Sequence, residues 1–151
     1  QQINLISEED KRRATIRLLL SYVEEHYAEK LSLEDLADYA QYNRTYVSTL
    51  FKQMVGINFH EYLTRVRFQH ALNDLTYTRD NLTDIALKNG FPDLKTLTAR
   101  FRSTFQRTPA QYRAALKPDE VLYDKVRQFL DPQDMVLRKK LGEYAKTGII
   151  K

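Results

Sequence analysis

Residues 33–55 and 82–105 are two copies of one segment, and that repetition constrains the fold more than any other feature of the chain. LEDLADYAQYN-RTYVSTLFKQMV lies over LTDIALKNGFPDLKTLTARFRSTF at an offset of 49 residues that becomes 50 midway, through one inserted residue. Leu33 meets Leu82, Asp35 meets Asp84, Leu36 meets Ile85, Ala37 meets Ala86, Val47 meets Leu97 and Phe51 meets Phe101. Further on, Tyr62 meets Tyr112. Two copies are too few for a solenoid, and they point to a tandem with two contact points.

The repeated unit is helical. Glycine and proline number four each, and apolar residues recur with a period near 3.6. Helix starts are marked by capping side chains with an acceptor three positions later: Ser32 with Asp35, Asn58 with Glu61, Asn81 with Asp84, Thr108 with Gln111, Asp131 with Asp134. Pro109 and Pro132 stand at first helical positions, where a missing N–H costs nothing. The pattern predicts helices at 8–28, 33–40, 44–55, 59–76, 82–89, 94–105 and 109–115, with two more at 119–130 and 132–146. The fold class is all-α.

Within each copy a short helix bearing a small residue, Ala37 or Ala86, is followed by a few connecting residues and a second helix capped by Asn43 or Asp93. This is the helix-turn-helix pattern, in which the small residue allows a close crossing. Gly90 suits a helix end with positive φ, and Gln41 takes its place in the first copy.

The outward stripes of the two second helices carry the functional signal. Leu97, Phe101 and Phe105 form an apolar face for the later one, which leaves Lys95, Thr98, Ala99 and Arg102 on the other side. In the first copy the corresponding residues are Thr45, Ser48, Thr49 and Lys52. Neither stripe holds an acid, whereas a merely solvated face mixes Glu with Lys. Small hydroxyl and methyl groups ending in a cation suit the major groove: Thr and Ala meet thymine methyls, Ser and Thr pair with base edges, and Lys reaches guanine. Net charge is only +4, but Leu94 to Arg113 contains five basic residues and no acidic one. The stretch FHEYLTRVRFQHALNDLT, Phe59 to Thr76, joins the units as one helix of about 27 Å. Adjacent major-groove entries on one face of B-DNA lie roughly 34 to 36 Å apart, near enough for one chain to read both.

At these residues the sequence resembles the C-terminal DNA-binding domain of the AraC/XylS family of transcription regulators. The second unit, Leu82 to Arg113, carries the family's IA helix, its GF, a Phe eight to ten residues later, and TPxxYR. The first unit, Leu31 to Arg67, is similar to the family's first half. The resemblance implies two recognition helices in successive major grooves of double-stranded promoter DNA, in a cytoplasmic protein without enzymatic activity, cofactor or metal. It places base reading on Thr45, Ser48 and Thr49 and on Leu94, Lys95, Thr98 and Ala99. Arg44, Lys52, Arg100, Arg102 and Arg107 are the candidate phosphate contacts, and RNA polymerase is a further candidate partner. Long polar readers are missing from KTLTA, so methyl contacts and DNA shape are expected to carry more of the specificity. A helical protein-interaction module is the rival reading, and salt sensitivity separates the two.

Other features are used to exclude. Zero cysteines rule out disulfides, Cys-ligated zinc and the reactive thiol of an alkyl-transferase. His26, His60 and His70 stand alone on their helices, which speaks against a metal site. No apolar run approaches the roughly 20 residues of a membrane span. Tyr42 and Tyr46 are expected in half-buried packing, Tyr112 and Arg113 to pack and cap the final helix, and Lys88 and Asn89 at a solvated turn.

The resulting division is 1–13 as linker or tag-derived segment with the start of the first helix, 14–116 as double helix-turn-helix domain, and 117–151 as helical C-terminal extension. LISEED, Leu5 to Asp10, matches the core of the myc epitope tag, while Ser7 with Asp10 equally suits a native helix start. The chain begins at Gln1 without Met and is expected to be a fragment, with an effector-binding or dimerisation domain missing from it. In the extension, Val121, Leu122, Val126, Phe129 and Leu130 and then Met135, Val136, Leu141 and Tyr144 recur helically, so it is expected to pack on the domain or on another chain. Its RKK, Arg138 to Lys140, reads as a solvated face before a phosphate clamp.

Overall fold

Every helix of the computed structural model, which describes residues 7–116, starts at a side chain that accepts a hydrogen bond from the backbone amide three residues ahead. The elements are α1 (Glu8–His26), α2 (Leu33–Ala40), α3 (Arg44–Val55), α4 (Phe59–Tyr77), α5 (Leu82–Lys88), α6 (Leu94–Phe105) and α7 (Pro109–Ala114). Their caps are Ser7, Ser32, Asn43, Asn58, Asn81, Asp93 and Thr108. Each cap satisfies a donor that the first helical turn leaves without a partner. Reciprocal capping boxes close at Ser32 with Asp35 and at Thr108 with Gln111. At Asn58 only the forward half forms, because the Glu61 carboxylate is drawn away by Arg65 and Arg100. The helices expected at 119–130 and 132–146 and the RKK at 138–140 lie outside the described residues, as do Leu5 and Ile6 of the LISEED stretch, whose Ser7 and Asp10 form the start of α1.

Two hydrophobic cores form, one for each copy of the repeat. The first gathers Leu19 and Val23 of α1, Leu36 and Ala37 of α2, Val47, Leu50 and Phe51 of α3, and Phe59 and Leu63 of α4. The second gathers Phe68, Ala71 and Leu75 of α4, Ile85 and Ala86 of α5, Phe91, and Leu97 and Phe101 of α6. Repeat partners are equivalent in packing as well as in sequence, since Phe51 and Phe101 are both fully buried. Among the described residues there is no strand, and no helix is long and apolar enough to cross a membrane.

Helix α4 belongs to both cores. Phe59, Leu63 and Val66 turn toward the first, and Phe68, Ala71 and Leu75 toward the second. At 100° per residue those two sets lie roughly 150° apart around the helix. The units therefore sit on different sides of a rod about 28 Å long, displaced along it and rotated about it.

Three local expectations are corrected. Phe105 is not core: at the last turn of α6 it is 36% exposed and lies against Tyr112, because the core closes at Phe101 one turn earlier. Asn89 is not a solvated turn residue but is buried, with its amide nitrogen donating to Asp74 Oδ2 at 2.7 Å and to the Ile85 carbonyl at 2.8 Å. That turn back onto Ile85 ends α5 at Lys88. Arg113 does not cap its own helix. Its guanidinium reaches the carbonyls of Leu75, Thr78 and Asp80, closing the exit of α4. Tyr112 packs on the second core as expected, and Gln41 and Gly90 take positive φ, 62° and 94°.

Replacing Phe101 by Ala should cost about 3 to 5 kcal/mol, since a buried ring contacting Phe68 and Tyr112 leaves a cavity. Urea titration of Phe101→Ala should show a lower midpoint with an unchanged slope, and an unchanged midpoint would contradict the packing described.

Candidate nucleic-acid interface

Burial of Val47, Leu50 and Phe51 at spacing i, i+3, i+4 decides which side of α3 faces solvent. Arg44, Thr45, Ser48, Thr49 and Lys52 are all exposed, and α3 contains no acidic residue. Tyr46 is half-buried against the first core, while Tyr42, 44% exposed, lies beside it at a ring-centroid distance of 4.5 Å. Next to this face, Arg12 of α1 donates to Gln53 Oε1 at 2.7 Å, which ties the start of the chain to α3.

In α6 the buried pair Leu97 and Phe101 leaves Lys95, Ala99 and Arg102 exposed, again without an acid in the helix. Thr98 is half-buried at the flank of this stripe, and Leu94 packs on the edge of the second core. Asp93 caps the helix by accepting from the Thr96 amide and from the Thr96 hydroxyl, both at 2.7 Å. Those bonds hold its carboxyl below the usual range. The positive end of α6 is thus already occupied by an anion of the chain itself.

The five candidate phosphate contacts are in three different situations. Arg100 is engaged within the fold: its Nη2 lies 2.6 Å from Glu61 Oε2 and its Nη1 3.4 Å from Oε1. Arg65 shares the same carboxylate at 2.8 Å. Hydrogen bonds from Arg100 first, and then from Arg65, hold the Glu61 pKa down to about 2. Arg44 lies 3.6 Å from Glu34 with both side chains mostly in solvent, a contact worth little. Lys52, Arg102 and Arg107 are exposed, and neither they nor Lys95 form an ion pair among the described residues.

Sequence reasoning missed Glu61, Arg67 and Asn89 as residues that hold this surface in place. Glu61 with Arg65 at i+4 was a legible helix pair. Arg100, 39 residues away, had no local signal. Arg67 donates to the carbonyls of Tyr27 and Glu29 at the end of α1, at 2.7 and 2.8 Å, and nothing in its neighbourhood along the chain announces this.

Comparison with known proteins bears on the same residues. A family model described as a helix-turn-helix domain matches residues 36–115. An uncharacterized HTH-type transcriptional regulator of Staphylococcus aureus (strain COL) is 38% identical over 98 residues, 65% of this chain and 13% of its own length. The transposon Tn10 TetD protein of Escherichia coli is 32% identical over 113 residues, 73% of this chain and 82% of its own. Among solved structures, the DNA-binding domain of AdpA, a global transcriptional factor crystallised with a target DNA, superposes with a TM-score of 0.63 at 26% identity. That likeness covers 67% of this chain and 91% of AdpA's. The chain spans only about an eighth of the length of the staphylococcal regulators it matches.

Glu61 generates a pH prediction. Its folded pKa of about 2 lies below the ordinary 4.5, so the stabilisation is fully present above 4.5 and disappears as pH falls through 2. Glu61→Gln should lower the melting temperature at neutral pH by about 2 to 6 °C, the scale of a partly exposed ion-pair network in a domain of this size. The gap between variant and wild type should close on acidification, and a gap that stays constant down to that range would exclude the carboxylate as its source.

Proposed function

The chain belongs to the AraC-type helix-turn-helix family of transcription regulators, and from that premise we propose that it binds a promoter duplex by placing α3 and α6 in successive major grooves. The observation that carries this reading is the pairing of two exposed, acid-free helix faces, one on each copy of the repeat. An acid-free face desolvates against a polyanion without the repulsion that Asp or Glu would bring, and a cation at its end adds attraction.

Base reading falls to Thr45, Ser48 and Thr49 on α3 and to Lys95 and Ala99 on α6, with Thr98 at the flank. Leu94, seated on the core edge, offers a thymine methyl its outer surface. Phosphates are met by Lys52, Arg102 and Arg107, with Arg44 released easily from Glu34. Arg100 reaches a phosphate only by giving up Glu61, so its part in this reading is to seat α6 on α4. The described residues receive a binding role and no catalytic one. An effector-binding or dimerising part, contact with RNA polymerase and a cytoplasmic location belong to the same proposal for the longer regulator.

Selection of duplexes from a random pool by this chain tests the reading. Two information peaks about 10 bp apart are expected, as two adjacent grooves require. Contact with about four phosphates predicts a log–log salt slope of about −3.6, and an affinity indifferent to salt would favour a hydrophobic partner instead. Lys95→Ala should relax preference at one base position and cost about 1 to 3 kcal/mol on the selected site. Retention of the full preference would remove Lys95 from the base-reading set. Arg102→Ala should weaken all duplexes alike and reduce the salt slope by about one, whereas a loss confined to one sequence would move it into that set.

A further inference from the structure

Three chain segments that belong to different units meet at one point. The Arg67 guanidinium, midway along α4, donates from Nε to the Tyr27 carbonyl at 2.7 Å and from Nη2 to the Glu29 carbonyl at 2.8 Å. Both acceptors lie just past α1, in the first unit. Against the same guanidinium sits Gly90, in the turn between α5 and α6 of the second unit. A Cβ added there would stand 2.5 Å from Arg67 Nε and 2.7 Å from the Tyr27 oxygen, closer than any side chain tolerates. Gly90 leads directly into α6, four residues on, and its φ of 94° sets the direction of that exit. A second tie, Arg100 to Glu61, holds the middle of α6 to the first turn of α4. Beside the junction His70 of α4 pairs with Glu24 of α1 and stacks on the Tyr27 ring at 3.9 Å.

Helix α4 alone cannot orient the units, because they pack on different sides of it and are joined by one rod. We propose that the Arg67–Gly90–Tyr27 junction is a spacing lock: it makes the chain select duplexes by the number of base pairs between the two half-sites, as well as by the bases within them. The inference rests on the DNA-binding reading above and adds a specificity determinant that touches no DNA. One inserted base pair turns the second groove by about 34° and carries it about 3.4 Å along the axis. A locked pair of helices loses one half-site under that change. A loosened pair follows it.

The test uses the full 151-residue chain and the duplex that it selects from a random pool, together with versions in which one or two base pairs are added or removed between the two recognised elements. Affinity is measured by fluorescence anisotropy at constant salt for wild type, Arg67→Met and Arg67→Lys, with thermal melts of each. Wild type should lose about tenfold or more per base pair of misplacement, the scale of losing one good set of base contacts. Folded Arg67→Met should bind the best duplex more weakly and lose less than about threefold on misplacement, a flattened profile that general destabilisation would not produce. Arg67→Lys keeps the stem and charge but not both carbonyl bonds, and should give an intermediate profile. It carries the test alone if Arg67→Met does not fold. A folded variant with the wild-type profile overturns the lock, as does a wild type indifferent to spacing. Failure to select any duplex would sink the DNA-binding reading itself, and the lock with it, an outcome distinct from intact binding with unchanged spacing preference.

Discussion

One helix serving two cores is the constraint on which the rest of this structure depends. Neither copy of the repeat has enough apolar surface to stand by itself: α2 with α3, or α5 with α6, contributes only a handful of fully buried side chains. Each copy becomes stable by borrowing a third wall from α4, Phe59 and Leu63 for the first and Phe68, Ala71 and Leu75 for the second. The first core gains a fourth wall from α1, and the second is closed by Tyr112 of α7. Because α4 is apolar on two sides along different halves of its length, cutting or bending it would expose both cores.

Polar contacts then orient what the apolar contacts hold. Burial is non-directional and leaves helices free to rotate by small angles at little cost. Bonds from Arg67 to the end of α1, from Arg113 to the exit of α4 and from Arg100 to Glu61 are directional, and each joins segments far apart in the chain. Arginine suits all three places, since its planar fork spans two acceptors at once. Lys52 on the outer face of α3 and Lys95 and Arg102 on that of α6 form no ion pair among the described residues, and that contrast separates the arginines that build the protein from the cations left to solvent.

The all-helical class, the tandem and the helix boundaries were legible because they rest on local rules. Asn43, Asn81 and Asp93 cap wherever their amide partners sit three residues ahead, whatever the rest of the chain does. The exposure of Thr45, Ser48, Thr49, Lys95 and Ala99 followed equally from helical periodicity against Val47, Phe51, Leu97 and Phe101. Reading failed where an end effect or a distant partner intervened. Phe105 continued the apolar period of α6 one turn past the edge of its core, and Asn89, itself buried, found a half-buried carboxylate in Asp74 that no nearby pattern pointed to.

By itself, then, the amino-acid order determined how many helices the described residues form, where each starts, which side of each is apolar, and that the second half echoes the first. Periodicity and capping act over three or four residues, so they survive without knowledge of the fold. Only the tertiary structure decided which arginines were committed inward, that the two units lie on different sides of α4, and how closely Gly90 approaches Arg67. Those outcomes depend on side chains that meet across some 40 residues of chain, where backbone path and not sequence spacing sets the distance.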